Sequence, residues 1–161
     1  MQSHAKHSKA ATTHAAHYRH LFIMLALSAL AMYGFMYGMV DRFGNVYTNL
    51  NQLYMVLVMV APMAMIELIV MRSMYPERRL NAAIMIGSAI VLLAAWIMLR
   101  QQTAIGDRQF LRSMIPHHAG AILMCEQAPI TNAEIQALCR SIIRSQQTEI
   151  DQMKRMLTSV Q

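Results

Sequence analysis

The sequence predicts an all-α protein: three transmembrane helices followed by a C-terminal antiparallel helical hairpin. Three observations carry this. Hydrophobic residues make up 56% of the 161-residue chain and charged residues only 14%, whereas soluble domains are about a quarter charged. The apolar residues collect in three stretches, 21–40, 53–71 and 82–99, each close to the roughly 20 helical residues that cross a bilayer. The remaining C-terminal segment has helical periodicity broken once, and no stretch shows strand alternation. The chain therefore divides into a cytoplasmic His-containing tail (1–20), a three-helix transmembrane domain (21–99) and a hairpin domain (107–161).

The first stretch follows Lys6, Lys9 and Arg19, as a signal peptide would. Its length, the lack of a small-residue cleavage pattern and the two spans after it make it an uncleaved anchor. Gly34 and Gly38 form a GxxxG pair, which fits either close helix contact or the general frequency of glycine in membrane helices. In the second stretch Met55, Met59, Met63, Glu67 and Met71 recur every four residues, a row that drifts by about 40° per step. Methionine fills gaps between helices, while an intramembrane carboxylate such as Glu67 tends to mark function. Pro62 is expected to bend this helix.

The net charge of +6 reads as membrane topology. Lys6, Lys9 and Arg19 lie before the first span, and Arg72, Arg78 and Arg79 against Glu77 follow the second. The positive-inside rule puts the N-terminus and second loop in the cytoplasm. The first loop and the hairpin then lie on the outer side of the membrane. No nucleic-acid module accompanies the basic residues, so nucleic acid is not an expected partner.

In the joint "RQQTAIGD", Gly106 can end one helix and Asp107 can cap the next. Pro129 breaks the chain again, and Thr131 with Glu134 has capping-box spacing. The hairpin helices are thus expected at 107–127 and 132–160. On a helical wheel, Asp107, Phe110, Met114, His117, His118, Ala121, Met124 and Cys125 share an arc of roughly 120°. The second helix offers Ile135, Leu138, Cys139, Ile142, Gln146, Glu149, Met153, Met156 and Val160 as its inner stripe.

Pro116, in "MIPHH", removes a helix hydrogen bond to the Arg112 carbonyl. It either kinks one helix beside the two histidines or begins a second helix after a short piece, 107–115. Imidazole, thioether and thiolate donors together favour copper, Cu(I) foremost, with Cu(II) or Ag(I) also accommodated. The expected metal residues are Met114, His117, His118, Met124, Cys125, Glu149 and Met153. Paired-cysteine zinc spacings and the Glu-x-x-His pairs of di-iron bundles are absent. Nothing suggests a base beside Cys125, so an enzyme is not expected. His4, His7, His14, His17 and His20 make the tail either a metal-binding tract or a solvated segment.

A tight turn near Pro129 and Ile130 would place Cys139 level with Gly120, leaving Cys125 and Cys139 offset by about 7–8 Å along the axis. No intrachain disulfide is expected from that register.

The segments "DRQFLRSMIPHHAGAILM" and "EIQALCRSIIRSQQTEIDQMKRML" resemble the bacterial family known as domain of unknown function three-hundred-and-five. The spans resemble its membrane-anchored branch through "MYGMVDRFGNVYTNLNQLYM" and "PMAMIELIVMRSMY". The resemblance implies a ferritin-like helical protein handling copper or silver in the periplasm, with Met114, His117, His118, Met124 and Met153 as ligands. Secreted members often carry the hairpin twice, whereas this chain carries it once, and Cys125 stands where alanine is commoner.

The resulting expectation is a membrane-anchored copper-binding protein for buffering, resistance or delivery. Two alternatives stand beside it: a structural membrane module without a metal site, and a transport subunit using the second-span methionine row. One hairpin carries more apolar surface than a single helix contact covers. Two chains are therefore expected to pair into a two-fold four-helix bundle, a homodimer; the competing outcome is that the hairpin folds back on its own membrane helices.

Overall fold

A computed structural model describes the backbone of residues 2–160 and the side chains of residues 16–160. Among the described residues all regular structure is helical: α1 (Gln2–Phe35), α2 (Leu50–Val70), α3 (Arg78–Gln101), α4 (Asp107–Gln127) and α5 (Ala133–Ser159). Two short 3-10 turns, Met36–Met39 and Phe43–Asn45, follow α1. The chain forms two compact units, one from residues 1–32 and 54–101, the other from 33–53 and 102–161.

The candidate spans are Ala16–Met39, Leu50–Val70 and Arg78–Gln101, each long and apolar enough to cross a membrane, and most of their residues belong to the first unit. The α1 helix begins at Gln2, ahead of the first span. Pro62 lies inside an unbroken α2. The cluster Tyr18, Leu21, Leu68 and Tyr75 is buried, with Met24, Met74 and Ile84 packed on it. Hydrogen bonds finish this end of the unit: the Tyr18 hydroxyl donates to Asn81 Oδ1 (2.8 Å) and accepts from the Glu77 N–H. His17 Nδ1 meets the Met74 carbonyl at 3.2 Å. Most other apolar side chains of the unit are exposed, as lipid-facing surface requires.

The second unit is the hairpin plus a strap formed by the chain between α1 and α2. The α4 helix runs unbroken through Pro116, so a separate piece at 107–115 does not form. Gly106, not Asp107, is its N-cap. The joint before it turns on the left-handed residues Gln102 (φ 52°) and Ala104 (φ 59°), not on glycine. Asn132, not Thr131, caps α5, its side chain accepting from the N–H groups of Glu134 and Ile135.

The buried core is Leu111, Ile115, Ala119, Ile122, Ile150 and Met153, with Val40 and Tyr47 of the strap packed against it. The inner face of α4 is therefore rotated from the expected arc: Phe110, His117 and Met124 are exposed, and Leu111, Ile115 and Ile122 are inside. On α5, Ile135, Leu138 and Met156 are likewise exposed. The reason is the strap, which covers a side of α4 that a bare hairpin would leave to solvent. At Gly120 a Cβ would come 3.3 Å from the Met39 carbonyl oxygen, so the helix has no side chain where the strap crosses it.

Polar contacts fasten the strap. Arg112 Nη2 donates to Thr48 Oγ1 (2.6 Å), Asn51 Nδ2 to Ser113 Oγ (3.2 Å), and the Leu50 N–H to Gln109 Oε1 (3.2 Å). Arg42 Nη2 donates to Gln147 Oε1 on α5. Asp41 accepts from Arg42 Nε (2.8 Å) and from the fully buried Asn45 (2.6 Å). Burial pushes the Asp41 carboxyl up, but the bonds from Arg42 and Asn45 outweigh it and hold it below the usual carboxylate range.

Cys125 and Cys139 are joined by a disulfide, with Cα atoms 5.3 Å apart. This overturns the expected register, in which Cys139 faced Gly120. The connection between the helices is extended at both ends (Ala128 ψ 134°, Asn132 ψ 125°). It carries the start of α5 outward, which slides α5 by five residues along α4, so that Cys139 stands level with Cys125. With 14 residues separating the cysteines, the cross-link contributes about 3 kcal/mol in the chain-entropy picture.

Candidate metal centre

Four of the seven expected metal residues belong to one region of the hairpin. Met114 and His118 are one turn apart on α4, and Glu149 and Met153 are one turn apart on α5, so each pair shares a helix face. His118 is buried at 8% exposure, Met153 lies in the core, and Met114 packs against it. The His118 ring crosses between the helices: Nε2 lies 2.7 Å from Glu149 Oε2, and Nδ1 lies 2.9 Å from the Met114 carbonyl oxygen.

These contacts fix the chemistry of the ring. A carbonyl oxygen only accepts, so Nδ1 carries a proton and donates to Met114. That leaves Nε2 toward Glu149. In that contact an Nε2–H donates to the carboxylate, and a metal at Nε2 would take the place of that proton. A backbone carbonyl holding one ring nitrogen while the other is left as a ligand is how metal-binding histidines are commonly oriented. The Glu149 side chain is half exposed, so the pair is reachable from solvent.

The other three residues stand apart. His117 is exposed, its ring centroid 6.0 Å from that of His118. Successive helix residues point about 100° apart, so the "HH" pair cannot aim both rings inward. Met124 is 55% exposed, and the Cys125 sulfur is spent in the disulfide. Among the described residues no three His, Cys, Asp or Glu side chains converge. The donor set within reach is therefore one imidazole and one carboxylate, with two thioethers beside them. A thioether-rich set of this kind suits Cu(I) or Ag(I) better than a hard cation.

Elsewhere, the expected row on α2 lies along the surface of its unit. Met55, Met59 and Met71 are exposed, and Glu67 accepts from the Tyr75 hydroxyl at 3.3 Å. Burial, and then the Glu67 charge, hold the Tyr75 phenol above its ordinary value. The side chains of His4, His7 and His14 lie outside the described residues; His20 is exposed. Sequence reasoning missed the strap altogether. Gly120 inside a helix was the available signal, because an interior helix glycine often marks close backbone approach.

An all-α chain with three helices fit to cross a membrane and a His- and Met-bearing terminal hairpin is the class this structure defines. The family described as Domain of unknown function (DUF305) matches residues 92–157. An uncharacterized protein of Acanthamoeba polyphaga mimivirus is 35% identical over 119 residues, which cover 73% of this chain and 76% of the viral one. The chain belongs to the DUF305 family. No solved structure matches it.

Proposed function

We propose that the protein is a membrane-anchored, non-enzymatic copper-binding protein that holds Cu(I), or Ag(I), between α4 and α5 on the outer side of a cytoplasmic membrane. The observation that carries this reading is the setting of His118. Its Nδ1 is committed to the Met114 carbonyl, its Nε2 faces Glu149, and the Met114 and Met153 side chains pack in the same region. His118 supplies the imidazole, Met114 and Met153 the thioethers, and Glu149 the carboxylate that holds the ring before metal arrives.

Two further observations support the location. The basic residues cluster before the first span and between the second and third, as positive-inside topology demands. The hairpin carries a disulfide, which persists in oxidising compartments and is rare in the cytosol. A bilayer and a metal ion are thus the expected partners. A second copy of the chain would cover Phe110, Ile135, Leu138 and Met156, which the strap leaves exposed.

The competing reading makes His118–Glu149 a structural cross-helix contact with no metal. Titration of the detergent-purified protein with Cu(I) against a chelating competitor separates them. His118→Ala should lose the tight site and His117→Ala should keep it. Equal binding by His118→Ala and the parent would leave the structural reading standing.

A further inference from the structure

The Cys125–Cys139 bond sits where little else holds the hairpin together. Every buried residue of α4 lies between Leu111 and Ile122, and those of α5 are Ile150 and Met153. Toward the tip, Met124, Ile135 and Leu138 are exposed, and both cysteines are only partly buried. Packing does not clamp the two cysteine side chains; the bond between them does. When that bond is reduced, two thiols remain on adjacent helix faces, reachable from solvent and free to separate.

We propose that the reduced Cys125–Cys139 pair is a second binding site, for a soft monovalent cation such as Cu(I) or Ag(I), opened by reduction and closed by oxidation. Thiolates select such ions. Two ligands suffice for an ion of low coordination number, whereas structural zinc requires four. The geometry fits. A thiolate–metal bond is about 2.3 Å long, so an ion between the sulfurs separates them by up to about 4.6 Å, against about 2 Å in a disulfide. With Cα atoms 5.3 Å apart, side-chain rotation spans that difference without moving either helix. Cys125 lies seven residues beyond His118, about 10 Å along α4, so this site is separate from the His118 region and does not depend on it.

The chemistry balances. A phosphine, or a cellular dithiol, attacks one sulfur and the S–S bond breaks. Two electrons pass to the sulfurs, which become thiols on taking up two protons. The phosphine leaves as its oxide with oxygen from water, or the dithiol leaves as a disulfide. One Cu(I) then replaces both thiol protons, forming a singly negative copper dithiolate and releasing two protons to solvent.

The test uses the full-length protein in detergent, either oxidised or reduced with a phosphine that is then removed under argon. Each form is titrated with Cu(I) against bathocuproine disulfonate. The reduced protein should take one equivalent more than the oxidised, with ultraviolet absorption from thiolate-bound Cu(I) appearing alongside. Cys125→Ser and Cys139→Ser should each abolish that extra equivalent. Reduced wild type is the control for both, since it lacks the bond equally. His118→Ala should retain the extra equivalent. Equal stoichiometry in the two redox forms, or an extra equivalent surviving in either serine variant, overturns the proposal. Absence of binding by the oxidised protein bears only on the His118 site.

Discussion

His118 Nε2 lies 2.7 Å from Glu149 Oε2, joining α4 to α5 across 31 residues of sequence. One member is buried and the other half exposed, so the contact faces solvent on one side only. By the measure of exposed ion pairs it contributes less than about 1 kcal/mol to the metal-free hairpin. Its greater consequence is orientation, since the ring is already turned with Nε2 toward Glu149 on α5 and Nδ1 on the Met114 carbonyl.

The thioethers should matter to copper more than to the fold. Methionine-to-leucine exchange in a core conserves volume and costs below about 1.5 kcal/mol. Met114→Leu and Met153→Leu should keep the helical circular dichroism while each weakens Cu(I) binding about tenfold or more, equivalent to about 1.4 kcal/mol. Parent-like affinity in both variants would remove the thioethers from the site.

The strap should respond to acid. The Asp41 carboxyl is held below its ordinary value because Arg42 and Asn45 donate to it, against the opposing effect of burial. Its contribution to stability is present above the unfolded value of about 3.9 and is lost as pH falls through the lower folded value. Hydrogen exchange across 39–47 should therefore quicken as pH drops below about 4, relative to α4. Asp41→Asn should show fast exchange already at neutral pH. An acid profile identical in the variant would place the sensitive group elsewhere.

The helix bounds of the hairpin were legible in the sequence because local chemistry sets them: α4 was expected at 107–127 and runs Asp107–Gln127, ended by Pro129. The buried face was not legible. It depends on Val40 and Tyr47, which come from a loop about seventy residues upstream and pack against the buried cluster of the hairpin. The cysteine pairing was missed for a related reason, since the register turns on how far an extended connection climbs before α5 begins. Of the site, residue types in "MIPHH" were informative, but choosing between His117 and His118 required knowing which face was inside.

Gly120 offers a separate check on the strap. A side chain there meets the Met39 carbonyl oxygen, 3.3 Å from the position of a Cβ. Gly120→Leu should lower stability by about 1–3 kcal/mol, the usual effect of overpacking, with exchange in the strap rising most. A neutral or stabilising outcome would mean that helix propensity prevails and the strap gives way easily.

The most direct test of the central claim is X-ray absorption at the copper edge of the oxidised, full-length protein loaded with one equivalent of Cu(I). The account predicts a mixed shell of imidazole nitrogen and thioether sulfur that loses its nitrogen component in His118→Ala and keeps it in His117→Ala. A sulfur-only shell, or a nitrogen component unchanged by His118→Ala, would contradict it.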